Sequence, residues 1–235
     1  MHETLKRALS GVVYVAIMWI GTSYSQASFH TLFLILGIVC LYEMWKLRKG
    51  KSIFKSYGII PYLYVLTPFI LVHLISPVQM LYLFILTWTF DTFAYLIGST
   101  FGKHKILPSI SPKKSWEGFF GGLLFMWISN FLILGFLLFI FVYGVSYMDS
   151  DNTASERDPL VDWLLIENVE IAFYWLPLII SITATAGDFI ESSYKRQAGV
   201  KDSGNLIPGH GGILDRMDAF MISIPIFYLL INLYK

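Results

Sequence analysis

Charged residues are scarce in this chain: Asp, Glu, Lys and Arg make up 14% of its 235 residues, against 56% apolar residues. A soluble globular domain carries about 25% charged residues. The shortage of charge therefore excludes an ordinary soluble domain and predicts an integral membrane protein.

Cysteine is scarce, and internal repeats and a recognisable leader cleavage site are lacking. Cys40 is the only cysteine and lies in an apolar run, so an intramolecular disulfide is excluded and a packing role is indicated. No segment repeats another, and none resembles a separate soluble domain, which predicts one membrane domain over residues 1–235. Since no convincing small-x-small cleavage site follows the first apolar segment, we expect that segment to be retained.

Long apolar runs are what the chain has instead. A membrane-spanning helix needs about 20 mainly apolar residues. Segments that meet this criterion are 8–24, 29–46, 58–76, 78–98, 118–144, 171–191 and 213–234. The predicted fold class is all-α, a polytopic membrane bundle of about seven transmembrane helices, with a range of six to nine.

The distribution of basic residues predicts the orientation. With the N-terminus in the cytoplasm, the inner portions are residues 1–7, 46–57, 99–117 and 192–212 with its edge. They hold all but Arg157 and Lys235 of the 17 Lys and Arg residues, whereas the outer loop 145–170 is rich in acidic residues. This is a positive-inside pattern, and it places the polar loops on the cytoplasmic side.

The segment 192–218 combines basic residues, aspartates and glycines between two predicted spans. Asp188 lies near the end of the sixth span, and Asp215 and Asp218 lie three residues apart at the start of the seventh. Mg²⁺ is typically held by one or two carboxylates together with substrate phosphates. We therefore expect these aspartates to bind Mg²⁺, with a second cation left open.

Basic residues in the same segment could neutralise phosphate; they are Lys195, Arg196, Lys201 and Arg216. The loop glycines would let backbone N–H groups approach anions closely. His210, between glycines, could donate to a phosphate or be a loop histidine with no task. Ionisable groups at this density beside a membrane usually mark a functional site.

Asp91 lies inside the fourth predicted span, where a carboxylate costs roughly 2.5–3.5 kcal/mol. Thr87, Asp91 and Tyr95 follow at four-residue spacing and share one helix face. Asp91 is therefore either a functional residue in a polar interior or a structural hydrogen-bonding residue between helices.

The loop before the fifth span contains a Ser111-Pro112 turn, the pair Lys113 and Lys114, and Glu117. Ser115 is the predicted N-cap of the following helix. Two lysines at a helix N-terminus suit a triphosphate, although ordinary positive-inside charge explains them equally well.

A series of short polar motifs follows along the C-terminal two-thirds of the chain. They are Asp91-x-x-Ala94-Tyr95, Ser111-Pro112-Lys113-Lys114-x-x-Glu117-Gly118, Gly187-Asp188-x-x-Glu191-Ser192-x-x-Lys195-Arg196, Lys201-Asp202-x-Gly204, Pro208-x-His210-Gly211-Gly212 and Leu214-Asp215-Arg216-x-Asp218. In type and order they resemble the signature of the phosphatidate cytidylyltransferases, the bacterial-type CDP-diacylglycerol synthases. The resemblance assigns the family motifs to a catalytic region over 78–235 and leaves 1–77 as N-terminal helices.

The resemblance implies the reaction of CTP with phosphatidate to give CDP-diacylglycerol and pyrophosphate, with Mg²⁺ required. It also implies residue roles. Asp188 and Asp215 would hold the metal, with Asp218 adjacent. Lys113, Lys114, Lys201 and Asp202 would contact the nucleotide, Lys195 and Arg196 the phosphatidate headgroup, and Asp91 would help close the cavity; Ser111, Glu117, His210 and Arg216 complete the substrate-binding set.

The expected partners are CTP, phosphatidate and membrane lipid, with no nucleic acid and with a homodimer left open. The expected location is the bacterial inner membrane, with the site facing the cytoplasm. Two alternatives remain: a related CTP-dependent enzyme or kinase acting on an isoprenoid lipid, and a transporter of a phosphorylated solute. Against the transporter, the charges concentrate on one face of the membrane.

Overall fold

The computed structural model describes residues 3–49, 58–148, 171–209 and 211–233, and over these residues the chain is helical with no β-strand. The all-α prediction is confirmed. Residues 50–57 of the inner basic loop and 149–170 of the acidic outer loop lie outside the described residues, so the predictions made for them remain predictions.

Helices coincide with all the predicted apolar segments. Their bounds are α1 Glu3–Ser23, α2 Gln26–Leu47, α3 Ile60–Leu71 with a 3₁₀ turn Val72–Leu74, α4 Pro77–Phe101, α5 Trp116–Met148, a π-helical turn Ile171–Trp175 leading into α6 Leu176–Gln197, α7 Leu214–Met217 and α8 Phe220–Leu233. The seventh predicted segment thus comprises a short helix and a longer one.

Three helices in the described part of the chain are long and apolar enough to cross a membrane: Gln26–Leu47, Pro77–Phe101 and Trp116–Leu137. Shorter apolar helices cover Leu9–Ser23 and Ile60–Leu74. The protein is therefore an all-α membrane protein, and the count of seven spans stays a prediction.

Two helix starts are set by reciprocal side-chain caps. At α2, Ser25 Oγ accepts a hydrogen bond from Ser28 N and Ser28 Oγ accepts one from Ser25 N, both at 3.0 Å. At α4, Ser76 Oγ accepts from Gln79 N at 3.2 Å and Gln79 Oε1 accepts from Ser76 N at 2.8 Å. Such caps satisfy the first N–H groups of a helix, so these polar residues mark where the apolar helices begin.

Contacts between residues divide the chain into two compact units. The first comprises residues 1–83, 109–111 and 183–228, and the second comprises 84–108, 112–182 and 229–235. The expectation of one membrane domain, with N-terminal helices over 1–77 and a catalytic region over 78–235, remains a prediction.

In the first unit, α2 packs against both α1 and α3. The buried side chains of Phe29 and Phe33 meet edge to face, with ring centroids 5.0 Å apart. Tyr64 Oη donates to the carbonyl of Gly187 at 3.0 Å, which ties α3 to the part of α6 that carries Asp188. The first unit thus ties α3, one of the N-terminal helices, to the C-terminal half of α6.

In the second unit, α4 and α5 approach closely through glycine. A Cβ at Gly118 would lie 3.0 Å from Gly98 Cα, and one at Gly122 would lie 2.9 Å from Ala94 Cβ. Small residues at such contacts let helix backbones approach, as expected for membrane helices. Farther along α5, the buried Asn130 Nδ2 donates to the carbonyl of Ala172 at 2.8 Å and holds the π-helical turn.

Candidate functional site

The polar loop of the first unit begins at the C-terminus of α6. Lys195 and Arg196 lie in the last helical turn, where positive charge interacts favourably with the helix dipole. Arg196 Nη1 donates to the carbonyl of Val200 at 3.1 Å, and Val200 N donates to the carbonyl of Lys195 at 3.0 Å. These contacts turn the chain directly after the helix and bring the loop back towards it.

Asp215, in the first turn of α7, joins that loop to α6. Its Oδ1 accepts a hydrogen bond from Lys195 Nζ at 2.7 Å. Its Oδ2 accepts from Ser203 N at 2.9 Å, Ser203 Oγ at 3.0 Å and Gly212 N at 2.7 Å. With a side chain only 7% exposed, Asp215 connects three parts of the site: the end of α6, the loop and α7.

Lys195 lies between two carboxylates, since it also forms an ion pair with Glu191 one turn earlier on α6. Lys195 is 8% exposed and Glu191 is fully buried. Burial alone would lower the pKa of Lys195, but the charge of Glu191 and the hydrogen bonds from Lys195 to Asp215 and Glu191 outweigh it, and the pKa is raised. The ammonium group therefore stays protonated, because both neighbours favour its charged form.

The other predicted residues of this unit differ in exposure. Lys201 and Asp202 are exposed. A Cβ at Gly211 would lie 3.3 Å from Asp202 Cβ, which places Asp202 beside the part of the loop that leads to Asp215. Arg196 and Arg216 are exposed and Asp188 is half-buried. The structure thus brings Lys195 and Asp215 into contact and places Asp202 close by.

The remaining predicted residues of this unit are Asp218, Ser111 and His210. Asp218, which follows α7, accepts a hydrogen bond from Ala219 N at 2.8 Å and is half-buried. Ser111 belongs to the first unit and is half-buried. His210 lies outside the described residues, so its role as a phosphate donor stays a prediction.

The carboxylates of this unit are the candidate ligands for a metal ion. Among the described residues, no group of three or more His, Cys, Asp and Glu side chains is placed to hold a metal ion. The chemistry of the centre nevertheless suits a cation. The side chains of Glu43, Glu191 and Asp215 are each less than a tenth exposed, and Glu191 Oε1 has no hydrogen-bond partner within the described parts of the chain. This fits an ion held by one or two carboxylates and completed by substrate.

The second unit contains the remaining predicted residues. On α4, Asp91 is half-buried between the buried Thr87 and Tyr95, which is 70% exposed. Lys113 is exposed and Lys114 half-buried in the loop that precedes α5. Thr87, Asp91 and Tyr95 all lie on α4, and the substrate role of Asp91 remains a prediction.

The loop before α5 closes on itself. Ile106 N donates to the carbonyl of Lys114 at 3.1 Å. Ser115 Oγ accepts from Gly118 N at 3.2 Å, which confirms the predicted N-cap. Glu117 accepts a hydrogen bond from His104 N at 3.1 Å and contacts His104 Nδ1 at 2.6 Å. His104 is thus a partner of Glu117 that the motif reading did not include.

Glu43 is the principal site residue that sequence reasoning missed. It is the only acidic residue of α2, it is 2% exposed, and its carboxylate contacts the polar loop. The sequence does indicate Glu43, because a carboxylate within a predicted membrane span needs a partner, as Asp91 does.

Comparison with known proteins supports the reading of the motifs. A sequence model described as the cytidylyltransferase family matches residues 74–234. The chain belongs to this family. The match includes the loop before α5 and the whole polar segment after α6, and it begins after α1, α2 and α3.

Individual relatives agree with the family. A phosphatidate cytidylyltransferase of Staphylococcus haemolyticus is 40% identical over 151 residues, which cover 64% of this chain and 48% of that protein. One of Haemophilus influenzae is 38% identical over 148 residues, covering 63% of this chain and 43% of that protein. The chain thus spans about half the length of the curated relatives it matches.

Proposed function

We propose that the protein is a phosphatidate cytidylyltransferase, which converts CTP and phosphatidate into CDP-diacylglycerol and pyrophosphate. The observation that carries the proposal is the buried Lys195–Asp215 pair, which organises the polar loop inside the part of the chain that matches the family. Relatives named for this activity are 40% and 38% identical to this chain over 151 and 148 residues.

The reaction is an in-line phosphoryl substitution. An oxygen of the phosphatidate phosphate attacks the α-phosphorus of CTP, a new P–O bond forms, and the bond from the α-phosphorus to the oxygen that bridges to the β-phosphate breaks. Pyrophosphate leaves with that electron pair. A phosphate oxygen is already anionic at neutral pH, so positioning and charge neutralisation carry most of the rate enhancement.

The exposed residues of the loop suit the positioning of the two substrates. Lys201 and Asp202 are accessible to a nucleotide arriving from solvent, and Arg196 is exposed at the end of α6, where it would meet the lipid headgroup. Lys195 is held between Glu191 and Asp215. An ammonium group has three N–H donors, so Lys195 could contact a phosphate while retaining both carboxylates.

Magnesium belongs to the proposal as well. Asp188 and Asp215 would hold it, with Asp218 adjacent, and when bound it would neutralise charge on the transferring phosphate. Support comes from Glu191, which shares Lys195 with Asp215 and whose Oε1 has no hydrogen-bond partner within the described parts of the chain.

The proposed location is the bacterial inner membrane, with the polar loop at the cytoplasmic face. The concentration of Lys and Arg residues in the predicted inner loops supports this orientation. It also suits the substrates, since CTP arrives from the cytoplasm while the acyl chains of phosphatidate remain in the bilayer.

The test is an assay of purified protein in detergent with phosphatidate, Mg²⁺ and CTP labelled at the α-phosphate. A cytidylyltransferase transfers the label to the lipid. Two parallel reactions, one with ATP labelled at the γ-phosphate and one with an isoprenoid phosphate in place of phosphatidate, separate the alternatives. Label in lipid from ATP, or only with the isoprenoid acceptor, would contradict the proposal, and so would a failure to label any lipid.

A further inference from the structure

The carboxylate of Glu43, on α2, lies against the polar loop that precedes α7. Glu43 Oε2 accepts hydrogen bonds from Leu214 N at 2.8 Å and Ser203 Oγ at 3.0 Å. Glu43 Oε1 accepts one from Ile213 N at 3.2 Å. These partners are all donors, so the position suits a group that only accepts, as an ionised carboxylate does.

Two glycines of the loop leave room for this carboxylate. A Cβ at Gly204 or at Gly212 would overlap the carboxylate oxygens of Glu43, and one at Gly212 would also overlap Ser203 Oγ. Glycine is the residue that permits such close backbone approach. The backbone at both positions therefore packs against an anion, and that anion is a side chain of the protein itself.

The hydroxyl of Ser203 connects Glu43 with Asp215. Ser203 Oγ lies 3.0 Å from Glu43 Oε2 and 3.0 Å from Asp215 Oδ2. A hydroxyl has one proton and can donate to only one of these carboxylates at a time. The two carboxylates therefore share a single donor, and displacement of one changes the hydrogen bonding of the other.

We propose that Glu43 is a positioning residue, which holds Ser203, Ile213 and Leu214 in the conformation that presents Lys201, Asp202 and Asp215 to CTP. The inference rests on the proposed function for the identity of the substrate. Glu43 lies before residue 74, where the family match begins, so this role comes from the contacts of α2.

The physical consequence is a shift in loop population. Without the carboxylate, the amides of Ile213 and Leu214 lose a charged acceptor, and the loop leaves its present conformation for part of the time. CTP that binds only the ordered conformation then shows a weaker apparent affinity, in proportion to the population lost. Saturating CTP restores the ordered conformation, so kcat is affected less than KM.

Steady-state kinetics of Glu43→Gln test this directly. A glutamine places an N–H₂ group opposite backbone donors, and loss of a hydrogen bond to a charged acceptor corresponds to a factor of about ten or more. We expect KM for CTP to rise about tenfold, with kcat at saturating CTP changed less than threefold and KM for phosphatidate unchanged. Glu43→Asp keeps the charge and should recover part of the affinity for CTP.

The matched control is Met44→Ala, a truncation of the next residue on α2, which is fully buried. It creates a cavity and should lower the melting temperature, since core truncations destabilise. KM for CTP should stay at the wild-type value.

Gly212→Ala gives a second route to the same loop, because its methyl group would displace the Glu43 carboxylate, and it should reproduce the rise in KM.

Hydrogen exchange measured by mass spectrometry gives a readout that needs no substrate. In Glu43→Gln, peptides covering residues 203–214 should exchange faster, while peptides from α3 and α6 keep their wild-type rates. Unchanged exchange in 203–214, or a fall in kcat with unchanged KM for CTP, overturns the proposal. If the wild type fails to transfer CMP to phosphatidate, the proposed function is wrong, and the exchange data still decide whether Glu43 holds the loop.

Discussion

Lys195 Nζ donates a hydrogen bond to Asp215 Oδ1 at 2.7 Å, although the two residues are 20 positions apart in the chain. The contact joins the last turn of α6 to the first turn of α7 and encloses the polar loop between them. It brings the residues on either side of the glycine-rich loop together in one buried ion pair.

Asp215→Asn should abolish most of the activity. The amide removes the negative charge opposite Lys195 and the acceptor capacity used by Ser203 and Gly212, and it weakens any metal held there. We expect a loss of at least about a hundredfold in CMP transfer to lipid. Asp149→Asn, in the predicted outer loop and outside the described residues, should leave activity almost unchanged. Near-normal turnover of Asp215→Asn would remove Asp215 from the site.

Lys195→Met should destabilise the protein. It leaves the buried carboxylates of Glu191 and Asp215 without their ammonium partner, and breaking a buried ion pair typically costs about 3–5 kcal/mol in the free energy of unfolding. Denaturant titration in detergent measures this. Glu191→Gln in the same chain should recover part of the loss, because it removes one of the unpaired charges. Lys105→Met, at an exposed position, should change the free energy by no more than about 0.5 kcal/mol.

Two glycines of α5 should respond to alanine in opposite directions. A methyl group at Gly122 would press on the Phe90 carbonyl and on Ala94, so Gly122→Ala should cost about 1–3 kcal/mol of stability. At Gly135, no atom of the described chain lies within 4 Å of the added methyl, and Gly135→Ala should stabilise the helix by about 0.5–1 kcal/mol. Thermal unfolding in one detergent compares them. Equal effects would contradict the close packing of α4 on α5.

The predicted orientation can be tested by labelling with an impermeant thiol reagent in intact cells. In a Cys40→Ala background, Lys201→Cys should react only after the membrane is permeabilised. Asn152→Cys, in the predicted outer loop, should react without permeabilisation, because positive-inside loops stay in the cytoplasm. Labelling of Lys201→Cys in intact cells would show that the loop faces outward. The predicted topology would then be wrong, and cytoplasmic CTP could not reach the loop.

Prediction from sequence succeeded where the signal is local. Every apolar segment is a helix, because a run of about 20 apolar residues needs its backbone hydrogen bonds satisfied internally. The Ser115 cap was also predictable, since a cap joins residues three positions apart. The family resemblance rests on short motifs for the same reason, and the match over 74–234 confirms it.

Prediction was incomplete where partners are distant in the chain. Glycines in this loop predict positions where backbone N–H groups approach an anion. In the structure, the amide of Gly212 donates to Asp215, and those of Ile213 and Leu214 donate to Glu43. No motif spacing indicates that Glu43, 160 positions before Ser203, accepts from its hydroxyl. The assignment of individual residues to CTP, phosphatidate and magnesium remains a prediction.

The sequence by itself thus determined a helical membrane protein, the bounds of its apolar segments and its family, because hydropathy and motif order are properties of neighbouring residues. Only the tertiary structure decided which buried charges meet. A carboxylate taken out of water must find donors wherever the packed helices bring them. For Glu43 and Asp215 those donors come from the end of α6, the loop that follows it and the start of α7.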